Sequence, residues 1–131
     1  KQRVVDEQLQ DIVVFTGHIA KMEPVYNGLD IVISASTSPE PLGTVVIEAL
    51  AMGKPLIAPN HGGAAEMMEH NKTGLLFTPK GVTSLANQIE RYYTEGELCS
   101  KLGKNARQHA INTFAVKMHA KKVQAVYNKL F

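Results

Sequence analysis

Glu40 and Glu48 stand eight positions apart in the segment Pro39-Glu40-Pro41-Leu42-Gly43-Thr44-Val45-Val46-Ile47-Glu48. Their spacing and surroundings are what could do chemistry. Glu40 lies between Pro39 and Pro41. Neither proline suits a helix interior, and Pro41 pushes Glu40 toward an extended conformation. Glu40 is therefore expected on a loop. Glu48 is the one charged residue of Thr44 to Met52, TVVIEALAM. A helix that is apolar all round is normally buried. A carboxylate inside it is costly without a hydrogen-bond partner. The expected partner is a ligand rich in hydroxyls. The competing readings are a lysine or backbone partner for Glu48, and an ordinary exposed loop acid for Glu40.

The start of the same helix adds a second kind of chemistry. At Gly43-Thr44, free backbone N–H groups and the positive end of the helix dipole suit a phosphate. Glu48 lies four residues beyond Thr44, or ~6 Å along the axis. That is roughly the span from a pyrophosphate to a ribose. A carboxylate gripping ribose hydroxyls is a device of nucleotide-binding folds. The spacing suggests a nucleotide diphosphate laid across the beginning of this helix. His61-Gly62-Gly63 follows another candidate strand, where two glycines permit close ligand approach. Glu66, just inside the next helix, suits the helix dipole. A tight turn with a first-turn acid explains that segment equally. Gly17-His18 ends an earlier candidate strand at the same edge. The five histidines show no metal-ligand spacing, and no cysteine cluster supports them. There is no P-loop and no GxGxxG.

Short β-rich runs alternate with helical patterns and must position these residues. Strands are expected at Ile12–Phe15, Asp30–Ser34, Pro55–Ala58 and Gly74–Thr78. Helices are expected at Thr44–Met52, Ala64–Glu69, Ser84–Tyr93, about Glu97–Ile111, and from near Ala115 onward. Lys21–Tyr26 reads as short and helical or irregular, and KQRVVDEQLQD reads as the tail of a helix. Gly53 and Pro55 stop the apolar helix. Continuous apolar strands separated by helices indicate a parallel sheet covered on both faces. The expectation is an α/β, Rossmann-like parallel sheet of about four strands with a helical C-terminal tail over 97–131. In the last helix Val116, Ala120, Val123, Tyr127 and Leu130 share one face. Lys117, Lys121, Lys122 and Lys129 read as a solvated face.

The chain has 131 residues, 44% hydrophobic and 20% charged, with net charge +2. A packed core is expected rather than disorder. The charge is too small to argue for nucleic acid or an acidic membrane surface. Cys99 is the only cysteine, so no disulfide framework exists and a cytoplasmic setting is expected. No apolar run approaches the ~18–20 residues needed to span a bilayer. The polar start does not resemble a signal peptide.

Ser38 to Pro55, SPEPLGTVVIEALAMGKP, resembles the E-x7-E signature of retaining glycosyltransferases with the GT-B fold, of the group 1, family 4 kind. Gly62-Gly63-Ala64-Ala65-Glu66 is similar to the GGxxE element that follows it. Thr73-Gly74-Leu75-Leu76-Phe77 is similar to the next strand, and Val14-Phe15-Thr16-Gly17 to the preceding one. The resemblance covers about Ile12 to Pro79.

That resemblance implies roles. Glu48 would hold the ribose hydroxyls of a UDP-, GDP- or ADP-sugar. Glu40 would contact the donor sugar and act at the reacting centre as the catalytic residue. Leu42, Gly43 and Thr44 would border the diphosphate, Gly17 and His18 the base, and Glu66 the donor pocket. No metal and no cofactor are implied. The family's C-terminal domain opens with two further strands, whose loops carry an arginine or lysine that neutralises the leaving diphosphate. Those strands would lie between the ones at Ile12 and Asp30, and this chain lacks them. Residues 1–131 are thus expected to be one partial domain, the donor-binding half of a parent that also has an N-terminal acceptor domain. The parent would transfer the sugar with retention, and the isolated chain would be inactive. Peripheral membrane association of the parent stays open. So does self-association through an exposed sheet edge. Alternatives are a non-catalytic nucleotide-binding or structural module, or a nucleotide-sugar epimerase. The match at Glu40 to Glu48 favours a transferase over an epimerase.

Overall fold

The computed structural model of the chain describes residues 1–130. The order is α1 (Gln2–Asp6), α2 (Glu23–Gly28), β1 (Val32–Ile33), α3 (Thr44–Ala51), β2 (Leu56–Pro59), α4 (Gly62–Met67), β3 (Leu75–Phe77), α5 (Val82–Thr94), α6 (Leu98–Phe114) and α7 (Val116–Leu130). The strands form one parallel sheet in the order β1-β2-β3, with Val32 opposite Leu56 and Ile57 opposite Leu75. This is the α/β architecture expected, with a helical C-terminal part.

β2 is central and every residue in it is buried. Successive side chains of a strand point to opposite faces, and the core divides accordingly. Leu56 and Ala58 pack with Val46, Ala49 and Leu50 of α3, with Ala64 and Met67 of α4, and with Ala106 and Ala110 of α6. Ile57 packs on the other face with Leu75, Phe77, Tyr92 and Leu102. Tyr92 is buried in that second cluster, and its hydroxyl donates to the Leu56 carbonyl at 3.2 Å. Both faces of the sheet are covered, which is why β2 could be a continuous apolar run.

Two expectations need correction. The sheet has three strands among the described residues, not four. Residues 12–15 form no strand, and Ile12, Val14 and Phe15 are 76%, 79% and 54% exposed. An extended segment becomes a strand only beside a neighbour that completes its hydrogen-bond ladder, and the described residues supply none. Second, α3 is not buried all round. Val46, Ala49 and Leu50 face the core, while Thr44, Val45 and Glu48 are exposed. The last helix expected is α7, which buries no residue: Val116, Val123, Tyr127 and Leu130, on its apolar stripe, stand in solvent. The lysines of α7 are exposed as expected. No helix among the described residues is long and apolar enough to cross a membrane.

Candidate functional site

The strands run parallel, so the loops leaving their carboxyl ends gather at one edge, where ligands bind in open α/β sheets. The loop from β1 to α3 carries Ser36 and Glu40. The loop from β2 to α4 carries His61, and Gly62 and Gly63 open α4. The two are built against each other. The N–H of Gly63 donates to the carbonyl of Glu40 at 2.8 Å. Gly62 has φ +55, and a Cβ there would meet the same carbonyl at 2.7 Å and the Glu40 nitrogen at 2.9 Å. Only glycine combines that conformation with so close an approach. The double glycine is thus a seat for the Glu40 loop.

The Glu40 side chain is held by its own loop. The Ser36 hydroxyl donates to Oε1 at 2.6 Å. His61 Nε2 lies 3.3 Å from the Ser36 carbonyl. A carbonyl oxygen only accepts, so Nε2 carries the proton of that bond. The other ring nitrogen, Nδ1, is buried and has no hydrogen-bond partner among the described residues. Ser36, Ser38, Glu40, Gly43 and His61 line a small cavity of about 10 Å³. Gly43 is the N-cap of α3, and no side chain caps that helix end. Leu42 beside it is 61% exposed, and Thr44 is exposed. The start of α3 thus has no side-chain cap and lies next to Glu40, but it is less free than expected: the Thr44 N–H donates to the Leu42 carbonyl at 3.1 Å, the Val46 N–H to the Gly43 carbonyl at 2.9 Å, and Gly43 is buried.

Glu48 occupies a second hollow. One helical turn into α3, its carboxylate lies at the surface, so it bears no full burial cost. Tyr26 of α2 donates its hydroxyl to Glu48 Oε2 at 2.8 Å. Burial pushes the Tyr26 phenol up to about 12, and the adjacent Glu48 carboxylate adds to the shift. α2 is itself tied down, because Lys54 Nζ donates to the carbonyls of Asn27 and Leu29 at its C-terminal end, each at 3.0 Å. Cations suit that end of a helix. Tyr26, Glu48, Ala20, Met22, Glu23 and Met52 are among the residues lining a groove of about 430 Å³. A larger hollow of about 550 Å³ lies beside Asp30 and Pro55, where β1 and β2 begin. It is at the wrong edge of the sheet for the glutamates.

The expected residues fall into separate places. Glu40 and Gly43 share the small cavity, and Glu48 lines the groove. Gly17 and His18 are exposed and do not line it, although Ala20 does. Glu66 is exposed with no hydrogen bond to its side chain among the described residues, and it lies in the last turn of α4. The expected first-turn position fails because α4 begins at Gly62 rather than Ala64. Sequence reasoning did not single out Tyr26 or Ser36, and it left His61 as part of a turn. Ser36 lies four residues before Glu40, within reach of a local side-chain bond. Tyr26 is 22 residues from Glu48 and gives no local signal. Among the described residues no group of three or more His, Cys, Asp or Glu could hold a metal ion.

Comparison with known proteins identifies the family and the fold. The family described as "Glycosyl transferases group 1" matches residues 1–109. A putative glycosyltransferase of Bacillus subtilis, YtcC, is 35% identical over 124 residues, covering 92% of this chain and 30% of that protein. HepE of Anabaena, solved in complex with UDP, superimposes with a TM-score of 0.90 at 31% identity, over 97% of this chain and 35% of that one. The C-terminal domain of a group 1 glycosyl transferase (LpcC) from Francisella tularensis gives a TM-score of 0.77 at 26% identity, over 88% of this chain and 60% of that one. The chain thus spans about a third of the length of YtcC and HepE. With most of its length matched by the family and its fold shared with these structures, the chain belongs to the group 1 glycosyl transferases.

Proposed function

We propose that this chain is the donor-binding part of a retaining glycosyltransferase of the family 4 kind. Its parent moves a sugar from a nucleoside diphosphate sugar to an acceptor, in the cytoplasm. The observation that carries this reading is the layout of α3: its uncapped start beside Glu40, and Glu48 one turn later in a separate groove. A diphosphate at the start of α3 meets the N–H groups and the dipole. The ribose then reaches Glu48, and the sugar turns toward Glu40. Leu42, Gly43 and Thr44 border the diphosphate, Gly17 and His18 the base, and Glu66 the outer donor pocket. Glu40 is the group at the reacting centre.

Helix N–H groups stabilise the negative charge that develops on the leaving diphosphate. They supply only part of what departure needs. Neither the Glu40 cavity nor the Glu48 groove is lined by a lysine or arginine. The cation, and the N-terminal domain that binds the acceptor, belong to the parent. Residues 1–131 therefore act as one partial domain, with 97–131 as its helical tail, and do not transfer sugar alone.

A relative from Mycobacterium tuberculosis, 35% identical over 106 residues and named as a GDP-mannose-dependent mannosyltransferase, and the UDP complex of HepE support a nucleoside diphosphate sugar. They differ in the base, so the base is decided by titration. Calorimetry with UDP, GDP and ADP is expected to give saturable binding to at least one of them. Glu48→Ala is expected to weaken it about tenfold or more, the scale of lost hydrogen bonds to a charged group. Binding to none of the three, or binding indifferent to Glu48→Ala, refutes the reading.

A further inference from the structure

Glu48 is exposed on the outer side of α3, where an unrestrained carboxylate would rotate among its rotamers. It does not stand free, because the Tyr26 hydroxyl donates to Oε2 at 2.8 Å. Tyr26 is 3% exposed and packs in the core cluster with Val46, Ala49 and Leu50. Its ring cannot follow a moving carboxylate. Lys54 fixes the helix that carries it, through the carbonyls of Asn27 and Leu29. The chain of constraint runs from the turn after α3, through α2, back to the surface of α3.

We propose that Tyr26 is a positioning residue that orients Glu48 for a ribose diol. This rests on the donor-binding reading above. A phenol hydroxyl has one proton to give. Giving it to Oε2 leaves Oε1 and the remaining lone pairs of the carboxylate for hydroxyls in the groove. Two adjacent ribose hydroxyls donate together at least entropic cost to a carboxylate whose orientation is already restricted, and the bond from Tyr26 restricts it. The consequence is specificity: ribonucleotides are favoured over 2′-deoxyribonucleotides. Removing the phenol oxygen relaxes that preference without emptying the core, since phenylalanine keeps the ring. It leaves no buried polar atom unpaired, because Glu48 faces water.

The test is a double-mutant cycle on the intact chain. Affinities for UDP, GDP and ADP and for their 2′-deoxy counterparts are measured by calorimetry in wild type, Tyr26→Phe, Glu48→Ala and the double variant. Thermal unfolding checks that each variant is folded. In Tyr26→Phe the ribonucleotide is expected to bind about 3–10-fold more weakly, the range of one ordinary hydrogen bond, because water takes over part of what the phenol gave the exposed carboxylate. The deoxynucleotide is expected to change less than about twofold. With Glu48→Ala in place, adding Tyr26→Phe is expected to change neither. A merely structural role for Tyr26 would weaken both ligands alike and leave their ratio untouched. If Glu48→Ala is damaging but Tyr26→Phe keeps the wild-type ratio, the positioning role falls and the donor reading stands. If Glu48→Ala is itself without effect, both fall.

Discussion

A Cβ on Gly62 would stand 2.7 Å from the carbonyl oxygen of Glu40. The start of α4 and the loop before α3 are therefore a single fitted unit, with Gly62 and Glu40 22 residues apart in sequence and in backbone contact. Gly62→Ala adds a clash with backbone to the strain of a positive φ. It is expected to destabilise the chain by about 2–3 kcal/mol, read from urea unfolding. A loss within experimental error would show that the two loops do not hold each other.

Ser36→Ala removes the hydroxyl that donates to Glu40 Oε1 at 2.6 Å. The bond is at the surface, so stability is expected to fall by no more than about 1 kcal/mol. Because Glu40 and Glu48 lie in different hollows, nucleoside diphosphate affinity is expected to stay within about twofold of wild type. On the role proposed for Glu40, sugar transfer by the longer parent protein is expected to drop, since that carboxylate is no longer held. Paired binding and turnover measurements check this, and an equal loss in both would merge the two glutamates into one function.

Alkaline pH probes Tyr26. Its phenol is raised from its ordinary value of 10.0 to about 12 in the folded chain. The folded state thus holds the proton more tightly than the unfolded state. The stabilising contribution is fully present below pH 10 and is lost as pH rises through the folded value near 12. Tyr92, raised further by burial, acts in the same direction. Unfolding free energy is expected to fall from pH 10 upward, and the slope is expected to be shallower in Tyr26→Phe. A flat profile across that window, or a variant indistinguishable from wild type, contradicts the assignment.

Leu50 and Val14 are both apolar but differ in what surrounds them. Leu50 is fully buried between α3 and the sheet, while Val14 is 79% exposed. Leu50→Ala is expected to cost about 2–5 kcal/mol. Val14→Thr is expected to stay within about 0.5 kcal/mol of wild type. Amide hydrogen exchange should agree, with strong protection in β2 and little in residues 12–15. A protected 12–15 segment would mean that it pairs after all.

The sequence by itself determined the parts of this protein that obey local rules. Pro39 and Pro41 put Glu40 on a loop, since both deny it a helix. Gly43 opened α3, and Gly53 with Pro55 closed it within a residue or two of where it ends. The apolar run at Pro55–Ala58 announced a strand covered on both faces, and β2, one residue further along, is one. Tertiary structure alone decided the rest, because it depends on which distant residues become neighbours. Residues 12–15 have the composition of a strand, and among the described residues no ladder partner makes them one. Glu48 was expected to want a partner, and the partner within the chain is Tyr26, brought from 22 residues away by the packing of α2 on α3. The seat of the Glu40 loop is backbone against backbone, made by the absence of a side chain at Gly62. A glycine's letter announces conformational freedom, but not which atoms will use the space it leaves.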